Sequence, residues 1–202
     1  MTPTPRIGLL GHGRFGSAFA SLLEENGYAW CGWDASASLP EGRGVTSIDA
    51  LLSQSDLIVL AVPLDAFEAA LVDLRPRLTG RHQLMDVCSV KEVPCRLMDE
   101  MLGDDIGHVG SHPLFGPLTI ARAEPLRTVL CPSPRHPGTA RLARDLFTSV
   151  GSEVADQDPT SHDRSMALTH AMAFFIARGL VELGVGSDLR WVPPSFAALA
   201  AP

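Results

Sequence analysis

The chain has 202 residues, enough for one full domain and a short appendage, and its 46% hydrophobic against 19% charged residues exclude a disordered chain. A net charge of −7 without any basic run excludes a nucleic-acid-binding surface. The first residues carry no export signal, the apolar run over residues 166–183 is broken by His170, Arg178 and Glu182, and Cys31, Cys88, Cys95 and Cys131 form no CxxC pair, so the reading is a cytoplasmic protein with reduced thiols, no membrane partner and no metal site.

Apolar runs alternate with amphipathic stretches, which predicts an α/β fold of the Rossmann type: a doubly wound, mainly parallel sheet followed by a long C-terminal helix. Residues 6–11 form the first expected strand, 14–26 its helix, and 28–33 a second strand closed by Asp34. A Ser-, Gly- and Pro-rich loop over 35–46 leads to a short helix, 47–54, with Ser47 as its cap. Residues 56–62 are continuously apolar, as for a central strand covered on both faces, and Pro63 ends them before a helix over 64–74. A strand at 82–87, a helix at 93–102 and a strand at 106–111 follow, then an irregular stretch over 112–125. A strand at 127–132, a helix at 136–150 and a strand at 152–155 complete the sheet. One long helix is expected over 160–184, and the Pro- and Ala-rich tail is left unassigned. The expected division is a dinucleotide-binding domain, residues 1–157, and a helical extension, 158–202.

Gly11-His12-Gly13-Arg14-Phe15-Gly16 matches GxGxxG between a strand and a helix. The first glycine serves the tight turn, the second the approach of a pyrophosphate, and the third the packing of helix on strand. The helix start, with its exposed amides and partial positive charge, would hold the phosphates. Asp34, eighteen residues after Gly16, would accept hydrogen bonds from the ribose hydroxyls and repel a 2′-phosphate, so NAD is expected over NADP. Arg14 either reaches a phosphate or is solvated. Val62 and Pro63, at the end of the third strand, are expected on the adenine and ribose side. A plain glycine-rich turn with a surface aspartate is the competing reading.

Two further segments carry chemistry: Asp86-Val87-Cys88-Ser89-Val90-Lys91 and Gly110-Ser111-His112-Pro113-Leu114-Phe115-Gly116-Pro117. Each follows or ends a predicted strand, so Ser89, Lys91 and His112 should converge at the ligand crevice. Oxidising an alcohol needs a group that takes the hydroxyl proton as hydride leaves; His112 suits that task and Ser89 can orient it.

The D-V-x-S-V-K and S-H-P-x-F-G-P segments resemble those of the prephenate and arogenate dehydrogenases, and His162-Asp163 with Met166-Ala167 and Thr169-His170 resembles that family's HD segment and following helix. The likeness runs over residues 6–184. It implies NAD-dependent oxidative decarboxylation of a cyclohexadienyl small-molecule substrate. His112 would be the catalytic histidine, Ser89 its support and Lys91 part of the pocket. His170, Ser111 and Arg178 would lie on the substrate side, and His162-Asp163 would either anchor the long helix or act directly. Family members continue into a helical domain that forms the dimer and supplies an arginine for the substrate's ring carboxylate. The comparable stretch Pro193-Pro194-Ser195-Phe196-Ala197 has no arginine, although Arg190 is near. The expectation is therefore a compact dehydrogenase, dimeric through its long helix. The alternatives are a non-catalytic NAD-binding module and a reductase or dehydrogenase of another small substrate.

Overall fold

The computed structural model describes residues 4–182. The end of the expected long helix, Arg190 and the segment at 193–197 lie outside the described residues. The chain falls into two compact units that divide after His162.

The first unit is built on one seven-stranded sheet in the order β2-β1-β3-β4-β5-β6-β7. Its strands are β1 (Ile7–Leu10), β2 (Trp30–Trp33), β3 (Leu57–Leu60), β4 (Gln83–Asp86), β5 (Gly107–Pro113), β6 (Leu126–Pro132) and β7 (Ser152–Asp156). All neighbours are parallel except β5 and β6, which run antiparallel. The helices are α1 (Arg14–Glu25), α2 (Ile48–Gln54), α3 (Leu64–Leu74), α4 (Glu92–Leu102), α5 (Pro117–Ala121), α6 (Pro137–Ser149) and α7 (Pro159–Met166). The stretch expected to be irregular after His112 thus contains α5, and His112 itself belongs to β5.

Period-two alternation explains how one apolar run serves two cores. Leu57 and Val59 of β3 pack with Phe19, Leu23 and Phe147 from α1 and α6. Ile58 and Leu60 point the other way, onto Leu51, Phe67, Leu71 and Met98 from α2, α3 and α4. A strand covered on both faces needs apolar side chains at every position, and all four residues of β3 are buried. Local signals hold the helix ends. Ser47 accepts a hydrogen bond from the Ala50 amide at 3.1 Å, as expected of the cap of α2. Pro137 occupies the first turn of α6, where its missing N–H has no intrahelical partner to lose.

β1 lies between β2 and β3, and the chain leaves β1 toward opposite edges at that point. The carboxyl ends of the strands there form the crevice in which such sheets bind ligands.

The second unit differs from the single long helix expected. Ala167–Ala171 is wound as a π-helix, followed by α8 (Met172–Glu182). One widened turn shifts the azimuth of every later side chain relative to a continuous α-helix. His170 lies within this turn and stacks on Phe174 with ring centroids 4.9 Å apart. Arg178 pairs with Glu182 at 2.8 Å on the exposed surface. No helix among the described residues is long and apolar enough to cross a membrane.

Candidate functional site

A cleft of about 700 Å³ opens at the carboxyl ends of β1 to β5 and is lined by Gly11, Gly13 and Arg14, by Asp34, by Val62 and Pro63, by Cys88 and Ser89, and by His112. One concavity therefore brings together the glycine loop, the acidic residue after β2 and the histidine that sequence reasoning places at the reacting centre.

The glycine loop is shaped by sterics. Gly11 adopts φ +104°, and a Cβ there would stand 2.5 Å from the Ala61 carbonyl oxygen. A Cβ on Gly16 would strike the Gly11 carbonyl, so the first turn of α1 could not close on β1. Gly13 is different: a Cβ there would meet nothing within 4 Å among the described residues, and Gly13 faces the cleft. Nothing among the described residues demands glycine at that position, whereas a group lying on the backbone would. Gly13 is also the N-cap of α1, which has no side-chain cap and no acidic residue in its first turn. Bare amides at the positive end of a helix dipole suit an anion. Arg14 is exposed on the cleft wall.

Asp34 closes the loop from the other side. Its Oδ2 accepts from the His12 amide at 2.7 Å, and its Oδ1 from the amides of Ser36 (2.8 Å) and Ala37 (2.7 Å) and the Ser36 hydroxyl (3.2 Å). Partial burial raises its pKa, but these hydrogen bonds outweigh it and hold the carboxyl at about 2. The group is an anion throughout the neutral range. His12 contributes through its amide; its ring stacks on Trp30 with centroids 6.0 Å apart and is not part of the cleft wall. Phe15 packs against Phe19 and Phe115 below the loop while still lining the cleft. The residues present therefore fit a dinucleotide with a free 2′-hydroxyl.

Lys91, expected on the pocket wall, lies beneath it. It is fully buried, with Nζ donating to Asp86 Oδ1 and, at 2.5 Å, to the Ser111 carbonyl. Asp86 also accepts from the amides of Cys88 (2.9 Å) and Ser111 (3.2 Å). Burial pushes the Asp86 carboxyl upward, while the Lys91 ammonium and these amides pull it down. Ser111, expected on the substrate side, spends its hydroxyl on the Asp86 carbonyl at 2.5 Å. Three residues read as binding groups or their neighbours thus form a buried tie between the ends of β4 and β5. That tie sets where Ser89 and His112 stand. Ser89 is exposed in the cleft. Burial, then the charge of Asp86, pushes the Cys88 thiol up to about 12, so it stays a thiol rather than a nucleophile.

His112 meets His162. Nδ1 of His112 and Nε2 of His162 are 2.9 Å apart, and the rings meet edge to face at 74°. At the start of α7 the Asp158 carboxylate accepts from the Ser161 amide at 2.9 Å. The available signal for His162 was the HD segment, but nothing local in it tells which side chain it faces. His170 and Arg178 belong to the second unit, where their neighbours are Phe174 and Glu182. Among the described residues, no cluster of three or more His, Cys, Asp or Glu could hold a metal ion.

Comparison with known proteins gives the family and the fold. The family model "Prephenate dehydrogenase, nucleotide-binding domain" matches residues 41–155, and the NAD binding domain of D-isomer specific 2-hydroxyacid dehydrogenases matches residues 3–75. A probable arogenate/prephenate dehydrogenase of Methanocaldococcus jannaschii is 29% identical over 138 residues, covering 65% of this chain and 31% of that protein. The T-protein of Haemophilus influenzae is 26% identical over 172 residues, covering 84% of this chain and 43% of its own. The chain thus spans less than half the length of either curated relative. Its fold is shared with prephenate dehydrogenase from A. aeolicus in complex with hydroxyphenyl propionate and NAD+, at a TM-score of 0.72 and 22% identity over 99% of this chain and 80% of that one. With more than half of its 202 residues matched by the family model, the chain belongs to the prephenate dehydrogenase nucleotide-binding domain family.

Proposed function

We propose that this chain is an NAD-dependent dehydrogenase that oxidatively decarboxylates a cyclohexadienyl substrate, prephenate or arogenate. One observation carries the reading: His112 lines the same cleft as Gly13 and Asp34. A module that only bound a dinucleotide would have no use for a histidine there.

NAD, when bound, would supply the acceptor for the hydride on the ring carbon that bears the hydroxyl. Gly13 and the first amides of α1 would receive its pyrophosphate, and Arg14 would add a positive charge at the rim. Asp34 would receive the ribose hydroxyls. His112 accepts the hydroxyl proton as the carbonyl forms. Loss of the ring carboxylate as carbon dioxide leaves its electron pair in the ring, which becomes aromatic, and His112 returns the proton to the phenolate oxygen. Aromatisation supplies the driving force, so positioning and one proton acceptor are what the protein must add.

The test is absorbance of NADH formed from prephenate, then from arogenate, with NAD and NADP as separate cofactors. Turnover with NAD is expected, with a kcat/KM at least about tenfold above that with NADP, the ratio that 1.4 kcal/mol of repulsion would give. Asp34→Ser should narrow that ratio. Because the Asp34 carboxyl is held at about 2, it stays charged, and the preference should not change between about pH 7.5 and pH 9, where the 2′-phosphate is also fully ionised. No turnover of either substrate would remove the reading, and an equal rate with NADP would remove the role of Asp34.

A homodimer joined through the α8 helix and a cytoplasmic location complete the proposal. Leu168, Phe174, Phe175 and Val181 are exposed, Phe175 by 76%, and an isologous pairing of two such helices would bury them. Light scattering at micromolar concentration should give twice the chain mass; a concentration-independent monomer would exclude the pairing. The four cysteines are unpaired, as suits a reducing compartment.

A further inference from the structure

The His112–His162 contact joins Nδ1 of one ring to Nε2 of the other, and both residues are buried, with 6% and 0% of their surfaces exposed. A hydrogen bond between two imidazoles holds a single proton: one nitrogen donates and the other accepts. The tautomer of each ring is thereby tied to that of its partner. His162 is itself held on both sides. The Gln157 amide donates to the Leu130 carbonyl at 2.9 Å and so extends the β6–β7 pairing, and the His162 amide donates to the Asp158 carbonyl at 3.0 Å in the first turn of α7. The ring facing His112 is therefore carried by a short segment pinned to the sheet edge and to a capped helix start.

We propose that His162 is a positioning residue that accepts the Nδ1 proton of His112 and leaves His112 Nε2 as the proton acceptor of the site. This rests on the dehydrogenase reading above. In the reverse arrangement, with His162 donating, His112 would carry its proton on Nε2 and could not accept one from a substrate hydroxyl there. When the substrate O–H bond breaks, its proton moves to His112 Nε2 and the ring becomes an imidazolium. The existing Nδ1–H bond to His162 then becomes charge-assisted and strengthens as the reaction proceeds. The arrangement follows the general logic of a base oriented by a third group, with an imidazole in the place more often taken by a carboxylate.

The experiment compares the full chain with His162→Gln, His162→Leu, and His162→Leu combined with His112→Asn. Partners that orient ligating histidines set the scale, at about 10–100-fold in activity. His162→Leu should lose that much in kcat, with KM and the Kd for NAD unchanged. His162→Gln, whose amide can reach the place of the lost nitrogen, should recover part of the loss. In the His112→Asn background, His162→Leu should have no further effect on rate, because its action runs through His112. An unchanged kcat in both single variants, or the same proportional loss in both backgrounds, would overturn the proposal. A second readout does not depend on turnover. Ring ¹⁵N spectra of the labelled protein, with His112 assigned by its disappearance in His112→Asn, should show its Nδ1 protonated and its Nε2 bearing the lone pair. His162→Gln should shift those signals, and it covers the case in which the leucine variant fails to fold. A wild-type His112 carrying its proton on Nε2 would refute the proposal even if the protein turns over prephenate, and the expected tautomer in a protein that turns over neither substrate would place the fault in the choice of substrate.

Discussion

His112→Asn should lower kcat by about 10²–10⁴-fold, the usual contribution of a general acid–base group, while the Kd for NAD stays where it was. The separation of the two effects follows from geometry. His112 lies in β5, and the glycine loop and Asp34 that would hold the dinucleotide follow β1 and β2. Asparagine keeps a polar group near Nδ1, so the contact with His162 has a substitute, but no acceptor of suitable basicity remains. Kinetics with the better of the two cyclohexadienyl substrates, beside calorimetric titration of NAD, measures both quantities. Normal turnover by the variant would end the assignment of His112 as the base.

Lys91→Met should lower thermal stability by roughly 6–20 °C, the Tm equivalent of the 3–5 kcal/mol lost when one partner of a buried ion pair is removed. Lys91 and Asp86 are each fully buried, and the carboxylate that remains would keep two amide donors but lose its ammonium. Replacing both, as Asp86→Asn with Lys91→Met, should return part of the loss, since no uncompensated charge is then left inside. Calorimetric melting of the three variants checks this order. A Tm for Lys91→Met within a few degrees of the wild type would mean that the tie between β4 and β5 contributes little. Turnover should fall with the tie, because Ser89 and His112 are placed by the strand ends that it joins.

The order of strands and helices was legible along the chain because each depends on neighbours within a few residues. The run over Leu57–Leu60 announces a strand covered on both faces, Ser47 announces a cap, and the spacing from Gly11 to Gly16 announces a tight turn between strand and helix. Asp34 was legible for the same reason: it closes a strand whose place beside β1 follows from the fingerprint. The direction of β6 was not, since an apolar alternation reads the same for a parallel and an antiparallel strand. Nor was the widened turn at Ala167–Ala171, where the apolar residues suit an α-helix equally well.

In the site, the residue types and their strand-end positions came from the sequence by itself, and with them the expectation of a dinucleotide cleft and a histidine base. Which groups face the cleft and which hold it together was decided only by tertiary structure. Lys91 turns inward because a carboxylate five residues away and a carbonyl twenty residues away stand within reach, so burial there is compensated. Ser111 closes on the Asp86 carbonyl for the same reason. His162 meets His112 across fifty residues because β7 pairs beside β6 and α7 starts at its end. Local propensity acts over a turn or a strand, whereas partners for buried charges and ring nitrogens are set by the packing of distant segments.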